Sequence, residues 1–361
     1  MENKFERRVL VITDELGDLR IDKALATLPE IATRSQAARL IQQGLIRIAG
    51  KVLKASYLTQ TGDSIDIDIP VVVKHVLLPY EFPLSIVYED SELLVVDKPS
   101  GLVVHPAYGH AQDTLVNALI HYTKDLSMGF NEHRPGLVHR IDKGTSGLLV
   151  VAKNEAAQRF LAMQFQAKTT HRLYRAIVFG KLVQPSGTVR SYLKRHPEDR
   201  KRVASTPIRD DGTSDGKLAV THFKLVQYHS TGLSLVELRL ETGRTHQIRV
   251  HLSENQHPIV GDETYGGKNR VNGIKSVHLR KTIEGLNRFA LHAAELGFTH
   301  PTTRERMIFK APWPKDLVPL LEHCHFPRYD ESYVIERVEG FVDPGTPAAI
   351  ADDELTDDGD E

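Results

Sequence analysis

The chain of 361 residues is long enough for two or three domains, and its 40% apolar and 26% charged residues are typical of a folded globular protein. A single cysteine, Cys324, excludes an internal disulfide framework and most thiolate metal sites. No stretch is long and apolar enough to span a membrane, and the N-terminus has no apolar signal region. We therefore expect a cytoplasmic protein without membrane contact.

The net charge of −1 conceals an uneven distribution along the chain. Residues 345–361 carry seven acidic residues and no Lys or Arg, so residues 1–344 alone have a net charge of +6. We predict that residues 340–361 form a disordered acidic tail, because they are acidic and have no apolar periodicity. A positive body is compatible with a polyanionic partner, although a charge run is also typical of solvated surface.

Residues 18–70 have the pattern of a compact module, preceded by a leader or first strand over 1–17. The segments RIDKALATL and SQAARLIQQG predict two short helices, the second with Ser35 as its N-cap and Gly44 at its end. LIRIAGKVL alternates around Ala49-Gly50, which predicts a tight hairpin. A basic face is predicted on this module from Arg20, Arg34, Arg39, Arg47 and Lys51.

The module resembles the S4 RNA-binding domain. The resemblance rests on RIDKAL, then TRS, then LIQQGLIRIAGK, then the Gly-Asp pair at 62–63, and it covers nearly all of the segment. It implies that the basic residues named above contact RNA. The alternative is a helix-hairpin unit that only packs on its neighbour, and S4 modules occur on several RNA enzymes, so the reaction stays open at this point.

After a predicted linker over 71–83, residues 84–328 alternate strand and helix patterns. DTLVNALIHY predicts an amphipathic helix, and Asn154 is placed to cap the helix EAAQRFLAMQFQ. Strands are predicted at SIVYED, ELLVVDK and GLLVVAK. Further strands or strand-helix transitions are predicted at LYRAIVFG, AVTHFKLVQY, LSLVELRLETG and RFALHAAELGF.

The segment GLVHRIDKGTSGLLVVAKN places Arg140 and Asp142 in a loop before an apolar run that reads as a strand buried on both faces. An Asp in such a loop is most often a turn former bonded to its own backbone. However, LETGRTHQIRVHL at 240–252 supplies a second polar cluster against a strand, and YRAIVFG at 174–180 supplies a tyrosine on another strand. Loops that bring a carboxylate, an arginine and a tyrosine together are typical of a functional site.

These segments, together with VYEDSELLVVDKPSGLVVHP, HPIVGDETYGG, FALHAAELGFTHP and APWPKDL, resemble the RluA-type pseudouridine synthases from about residue 84 to 320. The S4 module and the length of the segment before FALHAAEL make the chain most similar to the RluD branch, which acts on large-subunit ribosomal RNA. The resemblance implies an α+β fold, with a small S4 domain and a larger catalytic domain built on a mixed, mostly antiparallel sheet. It implies isomerisation of uridine to pseudouridine in RNA, without cofactor or metal.

The same resemblance assigns roles to six residues of this chain. Asp142 corresponds to the catalytic aspartate, Arg249 to the arginine that pairs with it, and Tyr174 to the tyrosine against the target base. A carboxylate that acts as nucleophile or base must be ionised, and a neighbouring cation favours that form. Whether Asp142 attacks the sugar, attacks the base or takes a proton from the sugar stays open.

The remaining predicted substrate contacts are Arg140, Ile248 and Thr145. Arg140 would help to open the RNA helix or fill the space left by the base, Ile248 would wall the pocket, and Thr145 would shape the loop. Stacked uracil cannot reach such a loop, so the nucleotide must flip out. A basic segment over 190–202 is predicted as a second RNA contact, through Lys194, Arg195, Arg200, Lys201 and Arg202.

The expected partner is structured RNA, either 23S-type ribosomal RNA or a pre-ribosomal particle, and we expect a monomer. The eighteen histidines show no recognisable metal-ligand spacing, so no metal is predicted, and Cys324 is expected to pack rather than react. Three alternatives remain: the same reaction on tRNA, a non-catalytic RNA-binding ribosome-assembly factor, and a glycosidic-bond hydrolase. The hydrolase would need a second acid, for which Asp262 is a poor candidate.

Overall fold

The computed structural model describes residues 5–28, 30–31, 33–70, 77–127, 134–199, 201–209, 212–329 and 331–338. It consists of two compact units, Met1–Val76 and Leu77–Glu361. The acidic tail predicted over 340–361, most of the predicted linker (71–76) and the predicted RNA contact Arg200 lie outside the described residues.

The first unit is a four-stranded antiparallel sheet with two short helices. Its elements are β1 (Phe5–Val11), α1 (Ile21–Leu25), α2 (Arg34–Gln42), β2 (Ile46–Ile48), β3 (Lys51–Val52) and β4 (Ser64–Pro70), with a 3₁₀ turn at Asp14–Leu16. The strand order is β1-β4-β2-β3. Strand β4 alternates, with Ile65 and Ile67 buried under the helices and Asp66 exposed, because successive side chains point to opposite faces.

Two local predictions in this unit have different outcomes. The hairpin at Ala49-Gly50 is confirmed, with φ of 47° and 77°, the left-handed pair of a type I′ turn. The prediction of Ser35 as N-cap of α2 is wrong, since the helix begins at Arg34 and Thr33 caps it by accepting a hydrogen bond from the Gln36 N–H at 3.2 Å. Thr33 has the extended backbone that a cap requires, whereas position 35 is already helical.

The second unit is larger and carries the remaining elements. They are β5 (Ser85–Glu89), β6 (Leu93–Lys98), α3 (Leu115–Tyr122), β7 (Ser146–Ala152), α4 (Glu155–Gln166), β8 (His171–Phe179), β9 (Ser186–Arg195), β10 (Val203–Thr206), β11 (Lys217–His229), β12 (Leu233–Leu240), α5 (Gln247–Glu254), α6 (Gly267–Arg270), α7 (Val277–Glu284), β13 (Leu291–Thr299), β14 (Arg306–Lys310), α8 (Val318–His323) and β15 (Val334–Val338), with a 3₁₀ turn at Val271–Gly273.

Its eleven strands form one sheet in the order β10-β9-β11-β12-β8-β13-β7-β6-β5, with β14 paired to β13 and β15 paired to β14. Among the described strands, β7 and β13 are parallel and every other pairing is antiparallel. This mixed, mostly antiparallel sheet with helices confirms the predicted α+β class.

The apolar run Leu148–Val151 lies in the middle of β7 and is fully buried, as predicted. Leu149 and Val151 belong to one hydrophobic core, and Leu148 and Val150 to a second core on the other face of the sheet. A strand covered on both faces has no polar alternation, which is why the sequence shows an unbroken apolar run. The cap of the following helix α4 is also confirmed, because Asn154 Oδ1 accepts the Ala157 N–H at 2.9 Å.

No helix within the described ranges is long and apolar enough to cross a membrane.

Candidate active site

Asp142 lies in a tight turn immediately before β7. The turn is closed by the Thr145 N–H, which donates to the Asp142 carbonyl at 3.0 Å. The loop after β6 holds this turn from outside: the Gly101 N–H donates to the Lys143 carbonyl at 2.8 Å, and Ser100 Oγ donates to the Gly144 carbonyl at 3.0 Å. Asp142 is therefore both a turn residue and the centre of a loop fixed by a second loop.

Gly147 lets β7 approach β13 closely behind this loop. Its φ is +116°, and a Cβ at this position would overlap the Ala293 carbonyl oxygen of β13. The neighbouring Ser146 hydroxyl bonds His292 Nδ1 at 2.9 Å and accepts from Arg288 Nη2 at 2.9 Å. The start of β7 therefore requires a hydroxyl at position 146 and glycine at position 147.

Arg249 approaches Asp142 from α5, as the resemblance implies, but its fork is used elsewhere. Its Nη1 lies 3.5 Å from Asp142 Oδ2, a single long contact. Its Nε and Nη2 donate to Asp262 Oδ2 and Oδ1 at 2.7 and 3.0 Å, which is a bidentate pair. Asp262 therefore occupies the Nε–Nη2 edge of the guanidinium, and Asp142 is contacted by Nη1 alone.

Asp262 is fully buried and anchored by its own turn. Its Oδ1 also accepts the Thr264 and Tyr265 N–H groups, both at 3.1 Å. A carboxylate committed to a guanidinium and two amides is not placed to protonate a leaving group, which argues against the hydrolase alternative. The sequence analysis did not predict that Asp262 binds Arg249. The signal that could have indicated it is the acidic residue in the motif VGDETYGG.

The Arg249 guanidinium is enclosed by two aromatic rings. Its Cζ lies 4.3 Å from the Phe289 ring centroid and 4.8 Å from that of Tyr265. Phe289 also packs on the loop that carries Asp142, where a Cβ at Gly144 would be only 2.7 Å from its ring. Burial disfavours the charge of Arg249, but Asp262 and Asp142 outweigh it and raise the pKa of the guanidinium above its usual value.

Tyr174 lies on β8, and its side chain is buried at 7% exposure. Burial, reinforced by the negative charge of Asp142, raises its pKa to about 12. The phenol is therefore protonated at neutral pH. Beside it, Arg172 donates to the Leu240 and Glu241 carbonyls at 3.3 and 3.1 Å.

One cleft brings together most of the residues predicted for the site. Its lining includes Arg140, Asp142, Thr145, Tyr174 and Ile248. Arg140 is exposed at this cleft, whereas Thr145 and Ile248 are buried at 1% and 4% exposure. Arg249 stands behind Asp142, bonded to it. The polar segment 240–252, predicted to lie against a strand, connects β12 to helix α5 and forms most of that helix.

Two histidines in the site motifs are neutral rings, with His292 buried and His139 half-buried. Burial lowers the pKa of His139 and of His292 to about 3. His139 Nε2 accepts the Val150 N–H at 3.0 Å, which requires the unprotonated nitrogen. Within the described ranges no three His, Cys, Asp or Glu side chains are grouped to hold a metal ion.

Lys98, at the end of β6, is a further residue that sequence reasoning missed. It is fully buried and donates to the carbonyls of Pro99 and Leu102 at 2.8 Å and of Lys143 at 3.2 Å. Burial lowers its pKa to about 7, with the positive charge of Arg288 acting in the same direction. The clue was a lysine between an apolar strand and the Pro-Ser-Gly turn.

The predicted RNA contacts of the first unit lie on its surface, and three of them form ion pairs with aspartates. Arg20 and Arg34 both pair with Asp22, at 3.1 and 2.9 Å. Arg47 pairs with Asp68 at 2.9 Å, and Arg39 and Lys51 are exposed.

In the second unit, Lys194 and Arg195 end β9, and Lys201 and Arg202 precede β10. Both lysines are exposed. These four residues therefore share one hairpin.

Comparison with known proteins agrees with this arrangement. The family model for RNA pseudouridylate synthase matches residues 92–254, and the model for the S4 domain matches residues 19–65. An uncharacterised RNA pseudouridine synthase of Bacillus subtilis is 41% identical over 314 residues, covering 87% of this chain and 97% of its own length. Ribosomal large subunit pseudouridine synthase D of Pseudomonas aeruginosa is 38% identical over 315 residues, covering 87% and 95%.

Among solved structures, human RNA pseudouridylate synthase domain containing 4 is similar, with a TM-score of 0.51 and 27% identity over 67% of this chain and 93% of that one. The matched relatives are therefore covered almost completely by this chain. The protein combines an S4 RNA-binding domain with the pseudouridine synthase fold, and it belongs to the RNA pseudouridine synthase family of isomerases.

Proposed function

We propose that this protein isomerises a uridine of large-subunit ribosomal RNA to pseudouridine, with Asp142 as the catalytic aspartate. The observation that carries the chemistry is the Asp142–Arg249 pair at the floor of a cleft that also holds Tyr174. The substrate is proposed because several similar relatives, including that of Pseudomonas aeruginosa, are named ribosomal large subunit pseudouridine synthase D.

Asp142 combines access with a charged partner. Its side chain is 18% exposed, so one side of the carboxylate faces the cleft while Arg249 holds the other side. A carboxylate must be ionised and oriented to act at the ribose, and the buried guanidinium favours both. The turn bond from the Thr145 N–H fixes the backbone beneath it.

Tyr174 provides a flat surface for the uracil ring. Base stacking on an aromatic ring contributes about 1–3 kcal/mol per base. Because its pKa is raised to about 12, the phenol supplies a hydrogen-bond donor rather than a base in the resting enzyme. Removal of the C5 proton after the base reattaches would then require Tyr174 to pass its own proton on first.

A stacked uridine cannot reach a recessed carboxylate, so the target nucleotide has to leave the helix. Arg140 is exposed at the cleft and is placed to occupy the space that the base vacates. Ile248 walls the apolar side of the cleft.

We further propose that two basic surfaces outside the cleft bind the RNA backbone. The module over 18–70 would bind through Arg20, Arg34, Arg39, Arg47 and Lys51, and the hairpin through Lys194, Arg195, Arg200, Lys201 and Arg202. The chain is proposed to act as a cytoplasmic monomer, with the module joined through the linker 71–83 to the catalytic domain over 84–328.

The decisive test is tritium release from RNA labelled at C5 of uridine. C5 must lose its hydrogen when it becomes the new attachment point, so release reports isomerisation itself. The wild-type protein and Asp142→Asn would each be incubated with large-subunit ribosomal RNA and with bulk tRNA. Release from ribosomal RNA that disappears in Asp142→Asn supports the proposal. Release from tRNA alone would overturn the substrate, and binding without release would indicate an RNA-binding assembly factor.

A further inference from the structure

The β9–β10 hairpin, residues 186–206, is attached at two points to the helix that carries Arg249. Ser191 Oγ lies 3.0 Å from His251 Nε2, and the Ser205 N–H and hydroxyl donate to Glu254 at 3.0 and 2.5 Å. His251 and Glu254 both belong to α5. A displacement of the hairpin therefore acts on the helix of the catalytic arginine.

A third attachment passes through the hydroxyl of Tyr265. Tyr265 is buried at 4% exposure, and burial raises its pKa to about 12. Its oxygen accepts the Val203 N–H of the hairpin at 2.8 Å and lies 2.8 Å from His246 Nδ1. The Tyr265 hydroxyl therefore contacts both the hairpin and His246. Burial lowers the pKa of His246, which disfavours the charged form of its ring.

The ring of Tyr265 forms a second connection between the same parts. Arg249 Cζ lies 4.8 Å from its centroid, and Arg202 Cζ of the hairpin lies 5.4 Å from it. The Arg202 Nε is buried without a hydrogen-bond partner in the described part of the chain. One tyrosine thus contacts a cation of the proposed RNA-binding hairpin, the cation that pairs with Asp142, and a histidine lining the cleft.

We propose that Tyr265 is a positioning residue that couples RNA binding by the β9–β10 hairpin to the orientation of Arg249 and His246. Phosphates bound by the hairpin would displace Val203 and Arg202. Tyr265, which contacts both residues, would pass this displacement to Arg249 and His246. The inference rests on the proposed function, because it takes the hairpin as an RNA contact. It adds a residue outside the predicted site and a reason why bound RNA completes that site.

The test uses Tyr265→Phe, which removes the hydroxyl and keeps the ring, with Tyr228→Phe as matched control because Tyr228 lies on β11 outside the cleft. Single-turnover tritium release would be measured at saturating protein with transcribed large-subunit ribosomal RNA. Tyr265→Phe loses the hydrogen bonds of the hydroxyl to Val203 and His246, and this loss is expected to slow the reaction about tenfold. Its RNA Kd should stay within about twofold, because the hydroxyl contacts no phosphate. An unchanged rate would overturn the coupling.

A double-mutant cycle separates coupling from independent damage. Val203→Pro should slow the reaction, but combined with Tyr265→Phe it should slow the reaction no further than Tyr265→Phe alone, because both changes remove the hydrogen bond between the Val203 N–H and the Tyr265 hydroxyl. Rate losses that multiply would overturn the proposal. Val203→Pro removes the N–H donor without touching Tyr265, at the first residue of an edge strand where proline is tolerated, and should reproduce Tyr265→Phe.

Hydrogen–deuterium exchange of residues 247–254 gives a readout that does not depend on turnover. Addition of the same RNA should protect α5 in the wild-type protein and protect it less in Tyr265→Phe. Equal protection in both proteins would overturn the coupling even if tritium is released. If RNA protects α5 less in Tyr265→Phe, but the wild-type protein and all variants release no tritium, the coupling stands and the proposed function is overturned instead.

Discussion

Asp262 holds Arg249 more firmly than Asp142 does: two bonds of 2.7 and 3.0 Å fix the guanidinium from behind, and one nitrogen at 3.5 Å faces the proposed catalytic carboxylate. Asp262 thus anchors the Nε–Nη2 edge of the guanidinium, and only Nη1 contacts Asp142. Asp142, with a single long bond to this cation, keeps one side open to the ribose.

Asp262→Asn should therefore impair both the fold and the rate. Removing one partner of a buried ion pair costs about 3–5 kcal/mol, and a misplaced orienting group lowers a rate roughly 10²-fold. Urea unfolding and single-turnover tritium release would measure the two effects. Asp215→Asn is the control, because its pair with Arg209 is half exposed on both sides and should be worth less than about 1 kcal/mol. An Asp262→Asn variant with the wild-type rate would contradict the role.

Tyr174→Phe should retain RNA binding, because stacking depends on the ring, whereas Tyr174→Leu should lose about 1–3 kcal/mol of affinity for a substrate that has its base flipped. If the phenol donor assists the chemistry, Tyr174→Phe will also lower the single-turnover rate at saturating protein. Fluorescence titration with labelled RNA would separate affinity from rate. Equal affinity of the Leu and Phe variants would contradict stacking at this position.

Gly147→Ala should prevent β7 and β13 from pairing, because the new Cβ would overlap the Ala293 carbonyl oxygen. The expected loss of stability exceeds the roughly 1–2 kcal/mol of left-handed backbone strain alone. Gly232→Ala isolates the strain, since Gly232 has a φ of +89° and no atom within 4 Å of the added Cβ. The measurement is the urea midpoint of each variant. Similar decreases in both would show that the close approach of the two strands is unimportant.

Lys98 should make stability depend on pH between neutral and alkaline conditions. Its pKa falls from 10.5 in the unfolded chain to about 7 in the folded protein, so above pH 7 the unfolded chain binds more protons. Stability then rises with pH from about 7 to 10.5, by at most about 1.4 kcal/mol per pH unit, and the cost of the buried charge is fully present below pH 7.

The comparison is with Lys98→Met, which has no titrating group at this position. The difference in unfolding free energy between the two proteins should shift in favour of wild type as the pH rises from about 7 to about 10. A constant difference would mean that the three carbonyl acceptors keep Lys98 charged throughout this range.

The hairpin lysines should contribute affinity that salt weakens. Replacing Lys194 and Lys201 by Gln should lower the slope of log K against log salt by about 0.7–0.9 for each phosphate that the variant no longer neutralises. Lys281→Gln on α7 is a charge-matched control, because Lys281 is also exposed. An unchanged slope in the double variant would remove the hairpin from the RNA-binding surface.

Local features of this chain were predictable because their causes lie within a few residues. The Asn154 cap depends on the backbone N–H of Ala157, three residues later in the chain, and β7 is indicated by an unbroken apolar run. The same reasoning failed at Thr33, where hydroxyl residues at 33 and 35 compete for one cap and the exact start of the helix decides between them.

The inner part of the site was not predictable in the same way. Asp262 is thirteen residues from Arg249, and only the tertiary fold shows that it occupies the guanidinium fork. Helix α5 was also not predicted, and it begins after His246, whose φ of 55° is uncommon outside glycine. Burial of Lys98 depends on carbonyls from two separate loops, one of which is 45 residues away.

Strand β13 determines how far apart the two halves of the site stand. Ala293 pairs with Gly147 on one side and with Tyr174 on the other, so the strand bearing the catalytic loop and the strand bearing the tyrosine are two inter-strand steps apart, roughly 10 Å. Insertions elsewhere in the chain leave that spacing unchanged. RNA-binding segments can thus be inserted elsewhere in the chain without changing the distance between β7 and β8, which limits the space for the uracil.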